Sequence, residues 1–122
     1  MRRYNIKVIK SFTDLEVYKR SQALYPDVVK FSGTFSREGW HLRDQICRAA
    51  NAIHADIAEG FGRSVPEFKM YLTRALGSCN ELISHLNDAL NVGFGEEEMC
   101  KKLLLEYDIV GKQLYRLRQF WR

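Results

Sequence analysis

Proline is scarce in this chain: Pro26 and Pro66 are the only two in 122 residues. With so little to interrupt a helix, and no run of turn-forming residues, nothing marks a linker or a second domain. Cysteine is scarce as well. Cys47, Cys79 and Cys100 are an odd, widely spaced set without a CxxC pair, which argues against a disulfide framework and against a zinc site. No apolar run approaches the roughly 18–20 residues of a membrane helix. Arg2 and Arg3 are not followed by an uninterrupted apolar segment with a small-residue cleavage site, so export is not expected and a cytoplasmic location is. Sustained period-two alternation is missing too, except in the short stretch Tyr4 to Ile9, which fits a strand, an extended arm or an extra turn.

What is present is ordinary globular composition, 46% hydrophobic and 28% charged, which suits one compact domain over 1–122. The hydrophobic periodicity predicts four helices, over about 13–33, 37–61, 65–92 and 96–121. Thr13 with Glu16 makes a capping box for the first, and Phe12 with Val17 a hydrophobic staple. Val17, Leu24, Val28, Phe31 and Phe35 follow helical spacing, with a kink or short break expected at Pro26. The second helix carries Leu42, Ile46, Ala49, Ala50, Ile53 and Ile57, and its alanines permit close approach of a neighbour. Gly60 and Gly62 then supply the backbone freedom that ends it.

Ser64 with Glu67 makes a second capping box, and Pro66 is tolerable in a first turn. Phe68, Leu72, Ala75, Cys79, Leu82, Leu86 and Ala89 then alternate spacings of four and three, the seam of near-antiparallel bundle packing. Glu96, Glu97 and Glu98 open the last helix where the macrodipole favours negative charge. Leu103, Tyr107, Val110, Leu114, Leu117 and Trp121 form its apolar line. A second apolar row, Leu76, Ile83 and Leu90 on the third helix and Leu105, Ile109 and Phe120 on the fourth, is either a subunit interface or a wide core-facing stripe. The fold class is all-α, an up-and-down antiparallel four-helix bundle.

Chemistry is sparsely signalled. Arg48, Glu59, Gly60, Arg63, Glu67 and Glu81 flank the turn between the second and third helices, and interhelical ion pairing with capping accounts for them better than a catalytic site does. GFGRS has neither the spacing nor the lysine of a phosphate-binding loop. His41, His54 and His85 read as surface or boundary residues rather than metal ligands, and no metal or other cofactor is implied. No catalytic residues are assigned, and the protein is read as non-enzymatic.

The net charge is +4, and its placement is uneven. Arg2, Arg3, Lys7 and Lys10 precede the first acid, while Lys112, Arg116, Arg118 and Arg122 follow the last. If the fold brings the termini together, these eight form a surface for a polyanion. Tyr115, Phe120 and Trp121 are interleaved with the C-terminal set, as in grooves that contact phosphate and stack bases.

The segments FTDLEVYKRSQAL, QICRAANAIHADIAEGFGRS, the following EF and ALGSCNEL together resemble the four-helix-bundle proteins encoded within intervening sequences of bacterial 23S ribosomal RNA genes. Glu59, Gly60, Arg63, Glu67, Phe68, Gly77, Ser78 and Glu81 keep that family's residue types. Ala52 and Asp56 depart from its usual Ser and Asn, so hydrogen bonds made by those side chains are not expected here. The resemblance implies a homo-oligomer, a pentameric ring, in which each basic patch recurs in every subunit. It also implies likeness to the accessory protein of diversity-generating retroelements, which binds nucleic acid through a basic ring. The function expected is binding of RNA or DNA, mainly by phosphate contacts. The alternative is a protein-interaction scaffold or accessory subunit for a partner such as a reverse transcriptase, and no membrane is expected as a partner.

Overall fold

The computed structural model describes residues 9–122. Four α-helices account for most of them: α1 (Glu16–Gly33), α2 (Trp40–Gly60), α3 (Val65–Val92) and α4 (Glu97–Phe120), with 3-10 turns at Phe12–Asp14 and Arg37–Gly39. There is no strand among the described residues. Residues 4–8 of the Tyr4-to-Ile9 stretch lie outside them, and Ile9 packs half-buried against the core. Each helix packs on the next and α1 closes onto α4, while no Cα atoms of the diagonal pairs come within 8 Å. The α2–α3 seam is the most extensive and the α1–α4 seam the least.

The periodic positions fill one core. Val17, Leu24, Val28 and Phe31 of α1 meet Ile46, Ala49, Ala50, Ile53 and Ile57 of α2. Every member of the α3 line from Phe68 to Ala89 is buried, as are Leu103, Tyr107, Val110, Leu114 and Leu117 of α4. Each fully buried Leu or Ile contributes about 1.5–3 kcal/mol relative to an exposed one.

The N-terminal cap differs from the expected one. Ser11, not Thr13, holds the chain: its hydroxyl accepts the Thr13 N–H at 3.3 Å, and the Asp14 carboxylate accepts the Lys10 and Ser11 N–H groups at 2.8 and 3.0 Å. A 3-10 turn therefore precedes α1, whose own N-cap, Leu15, has no side-chain bond to offer. Leu15 is instead fully buried. Pro26 does not break α1, which runs unbroken from Glu16 to Gly33. Pro26 is exposed, so the carbonyl it releases one turn back faces the solvent side and can be hydrated.

The α3 cap is as expected. Ser64 Oγ accepts the Glu67 N–H at 3.3 Å, and the Glu67 carboxylate accepts from the Ser64 N–H at 3.3 Å. The Ser64 hydroxyl, which donates to that carboxylate at 2.7 Å, and then the Ser64 N–H hold the Glu67 carboxyl below its usual range.

The two glycines of the α2–α3 turn do different jobs. Gly62 has φ +87°, the left-handed region that favours glycine. Gly60 is helical and buried, and a Cβ there would come within 2.5 Å of Tyr71 Cβ and 2.8 Å of its Cγ. Its role is close approach of α2 to α3 rather than termination. Gly77, also helical, is exposed and has nothing within 4 Å of a built Cβ.

Two alanine substitutions should therefore move stability in opposite directions. Gly60→Ala forces a ring or a helix to shift and should destabilise by about 1–3 kcal/mol. Gly77→Ala should stabilise by about 0.5–1 kcal/mol through helix propensity. Urea denaturation of both variants checks the pair.

Candidate nucleic-acid interface

Aromatic packing decides where the termini lie. Phe12 stands edge-on to Tyr18 at 4.9 Å and to Phe61 at 6.4 Å between centroids. Phe61 and Phe68 in turn hold Trp121 at 6.0 and 4.9 Å. The entry to α1, the α2–α3 turn and the exit from α4 thus share one end of the bundle. This is the condition for the two basic termini to act together.

Of the expected basic residues, Arg2, Arg3 and Lys7 lie outside the described residues. Lys10 is exposed at the common end. Lys112 is exposed but pairs with Asp108 one turn back at 3.0 Å. Arg118 Nη1 donates to Thr73 Oγ1 of α3 at 3.1 Å, and its guanidinium sits 5.4 Å from the Tyr115 ring centroid. Arg116 and Arg122 are exposed, and among the described residues neither forms an ion pair. Of the three interleaved aromatics, Trp121 is consumed by packing and Phe120 is half-buried, whereas Tyr115 is 55% exposed.

Two further cations join this end. Arg63 and Arg74 hold their guanidinium groups 5.0 and 5.2 Å from the centroid of Tyr71. Arg63 also donates through Nε to the Glu59 carbonyl at 2.9 Å and lies 4.0 Å from the Glu67 carboxylate. Arg74 is the residue that sequence reasoning missed. Its signal was its place three positions after Tyr71, one helical turn along the same side. Asp56 faces this corner with its carboxyl pushed up by burial, opposed by Arg74 and reinforced by Glu59.

The expected ion-pair cluster separates into three. Gly60, Arg63 and Glu67 do meet at the turn, with the Glu59 carbonyl. Arg48 pairs with Asp44 within α2 at 3.7 Å, and Glu81 with His85 within α3 at 3.3 Å. Their side chains find partners one turn away on their own helix, which is nearer than any neighbouring helix. The ion pair that does join two helices among the described residues is Arg20–Glu106 at 2.9 Å, between α1 and α4. Nothing in the sequence spacing signals a partner that distant.

The nucleophile candidates are quiet. Cys79 is buried, its thiol pushed up to about 12 by burial, and it donates to the Tyr107 carbonyl at 3.3 Å. Cys100 likewise donates to the Leu86 carbonyl at 3.2 Å. No group of three metal-ligating side chains exists among the described residues. His41 is exposed, and His54 is a boundary residue, as the sequence suggests. It is half-buried between Tyr18 and Tyr25, and its Nδ1 shares a 3.0 Å hydrogen bond with the fully buried Ser21 hydroxyl. Burial pushes its pKa down.

That shift has a sign. The folded chain resists the proton that the unfolded chain takes up at His54 below about pH 6.5, so stability at this site is present above that pH and lost as the pH falls. Thermal melts from about pH 7 to 5 should show a shallower loss for His54→Gln than for the wild type. Equal slopes would remove His54 from the acid response.

No curated protein matches the sequence significantly. The family model described as 23S rRNA-intervening sequence protein matches residues 13–116, from the 3-10 turn before α1 to the last basic turns of α4. With the four helices in place over that same span, the chain belongs to the 23S rRNA-intervening sequence protein family.

Proposed function

We propose that this protein is a non-enzymatic, cytoplasmic, homo-oligomeric helical bundle that binds nucleic acid through its basic end, chiefly by phosphate contacts. The observation that carries the reading is the convergence of Lys10, Arg63, Arg74, Arg118 and Arg122 on the end shared by the entry to α1, the exit from α4 and the α2–α3 turn. Arg116 adds a cation one turn before it. Guanidinium groups held against Tyr71 and Tyr115 are pre-positioned, so little side-chain freedom is lost on meeting a phosphate. The acids of this region are partly engaged, Asp108 by Lys112 and Glu67 by its cap. The non-enzymatic reading is supported by Cys79 and Cys100 being buried and bonded to carbonyls, by the half-buried Cys47 sharing a hydrogen bond with the Ser32 hydroxyl, and by His54 being turned to Ser21.

Fluorescence anisotropy with mixed RNA and DNA tests the reading. Affinity should fall steeply with salt, because each neutralised phosphate releases a counterion. Replacing Arg116 and Arg122 together by Gln should weaken binding to all sequences alike and lower the salt slope by about 2. No binding at ~50 mM salt would end this proposal.

Assembly is the second part of the reading. The expected second apolar row divides in the structure. Leu76, Ile83 and Leu90 pack half-buried against the core, so on α3 the row is a wide core-facing stripe. On α4, Leu105 is 71% and Ile109 39% exposed, one turn apart on the outer face. That pair, with the family's implied ring, supports a homopentamer in which the basic end recurs in each subunit. Light scattering should give a multiple of the 14.3 kDa chain mass, reduced to the monomer by Leu105→Asp with Ile109→Asp. The same exposed pair supports the alternative, docking of another protein such as a reverse transcriptase; such a complex survives nuclease, and a nucleic-acid bridge does not.

A further inference from the structure

Phosphate contact leaves one feature of the basic end unexplained. A groove of about 440 Å³ runs between α3 and α4. Its apolar lining comes from the half-buried Leu76 and Ile83 of α3, the buried Tyr107 ring of α4, and Gly111 of α4, where no side chain fills the space. A Cβ at Gly111 would meet only Cys79 Sγ, at an ordinary 3.7 Å, so close helix packing does not demand a glycine there. Tyr115 stands on the wall, 55% exposed, with the Arg118 guanidinium 5.4 Å from its centroid and pinned in turn to Thr73 at 3.1 Å. Two neutral amides, Asn80 and Gln119, line the groove, and Arg116 lies on its rim. Asp108 lies there too, held by Lys112 at 3.0 Å.

An apolar lining offers nothing to a phosphate, and the amides can both donate to and accept from the edge of a base, where a phosphate uses only their donors. Lining and amides together suit a flat heterocycle with hydrogen-bonding edges. The volume lies within the roughly 300–1,000 Å³ of small-ligand sites. The charges give a direction: Arg116 lies one turn beyond Lys112 and Arg118 two residues further on, so an attached phosphate is drawn toward the C-terminal half of the groove. Bases within a duplex are stacked and paired, and cannot present a face to Tyr115, whereas bases of a single strand can.

We propose that the α3–α4 groove receives an unpaired nucleobase of a single-stranded polynucleotide, stacked on Tyr115, with its edge against Asn80 and Gln119 and its phosphate on Arg116 and Arg118. This rests on the nucleic-acid reading above and adds a preference for single strands that phosphate contact alone does not produce.

The test uses the full chain with fluorescein-labelled oligouridine RNA, oligothymidine DNA and a duplex RNA of equal length, at one salt concentration. Both single strands should bind about 10-fold or more tightly than the duplex. Tyr115→Ala should weaken single-strand binding by about 5- to 100-fold and duplex binding much less, through the loosened Arg118 alone, so that the single-strand preference is lost, and Tyr115→Phe should retain the wild-type preference. Tyr115 is exposed, so the alanine variant should keep its fold, which circular dichroism checks. Either single strand, RNA or DNA, binding in this Tyr115-dependent way supports the groove. Equal affinity for duplex and single strand, or a Tyr115→Ala variant that binds single strands like the wild type, overturns the groove and leaves the phosphate reading standing. Absence of binding to all three probes overturns both.

Discussion

The close approach of α2 to α3 at Gly60 sets the geometry on which the rest of this molecule depends. A Cβ there would lie 2.5 Å from Tyr71 Cβ, so the absence of a side chain is what lets the Tyr71 ring lie against the α2 backbone. The alanines along the α2 core face, Ala49 and Ala50, continue the same lean seam, and this is the most extensive helix pair in the bundle. With Tyr71 fixed, Arg63 from the turn and Arg74 from α3 both find its ring. One glycine thus connects a packing requirement to the placement of two cations.

The aromatic group next to that contact performs a second task. Phe61 leaves α2 immediately after Gly60 and packs on Phe68, Phe12 and Trp121. Such rings bury large areas and favour edge-to-face geometry, which fixes the entry to α1 and the exit from α4 with few residues. A C-terminal segment that carries Arg118 and Arg122 and no acids after Asp108 is thereby held beside the turn that carries Arg63. The dipole of α4 favours cations at this end in any case. What the fold adds is company from other elements, which dipole complementation alone does not supply.

The helices were legible in the sequence because their signals are local. The α3 line from Phe68 to Ala89 and the Ser64–Glu67 capping box rest on spacings of three and four, and both are as the spacing predicts. The first cap was misread because Ser11 and Thr13 both suit the role, and only the Lys10 and Ser11 amides converging on Asp14 decide between them. Pro26 was overweighted, since the cost of a missing N–H depends on whether the freed carbonyl meets water. The partner of His54 was illegible for the opposite reason: Ser21 lies 33 positions away on another helix. The basic residues themselves were evident from the termini, but Arg74 and the engagement of Arg118 with Thr73 required knowing which helices are neighbours.

The four α4 faces divide the work between them by position along the helix. One line, Leu103 to Leu117, is core. A second, Glu106, reaches α1 through Arg20. A third, Gly111 to Gln119, borders the groove with α3. The outer line carries Leu105 and Ile109 in its first half and reaches Arg116 and the C-terminal cations only afterwards. Apolar surface gains by being removed from water, whereas cations that meet phosphates must remain in it. Their separation along one helix means that, in the proposed assembly, covering Leu105 and Ile109 does not require desolvating Arg116 or Arg122. A ring built this way would multiply the basic end without burying it, and that compatibility is the physical reason to hold the oligomer and the nucleic-acid reading together.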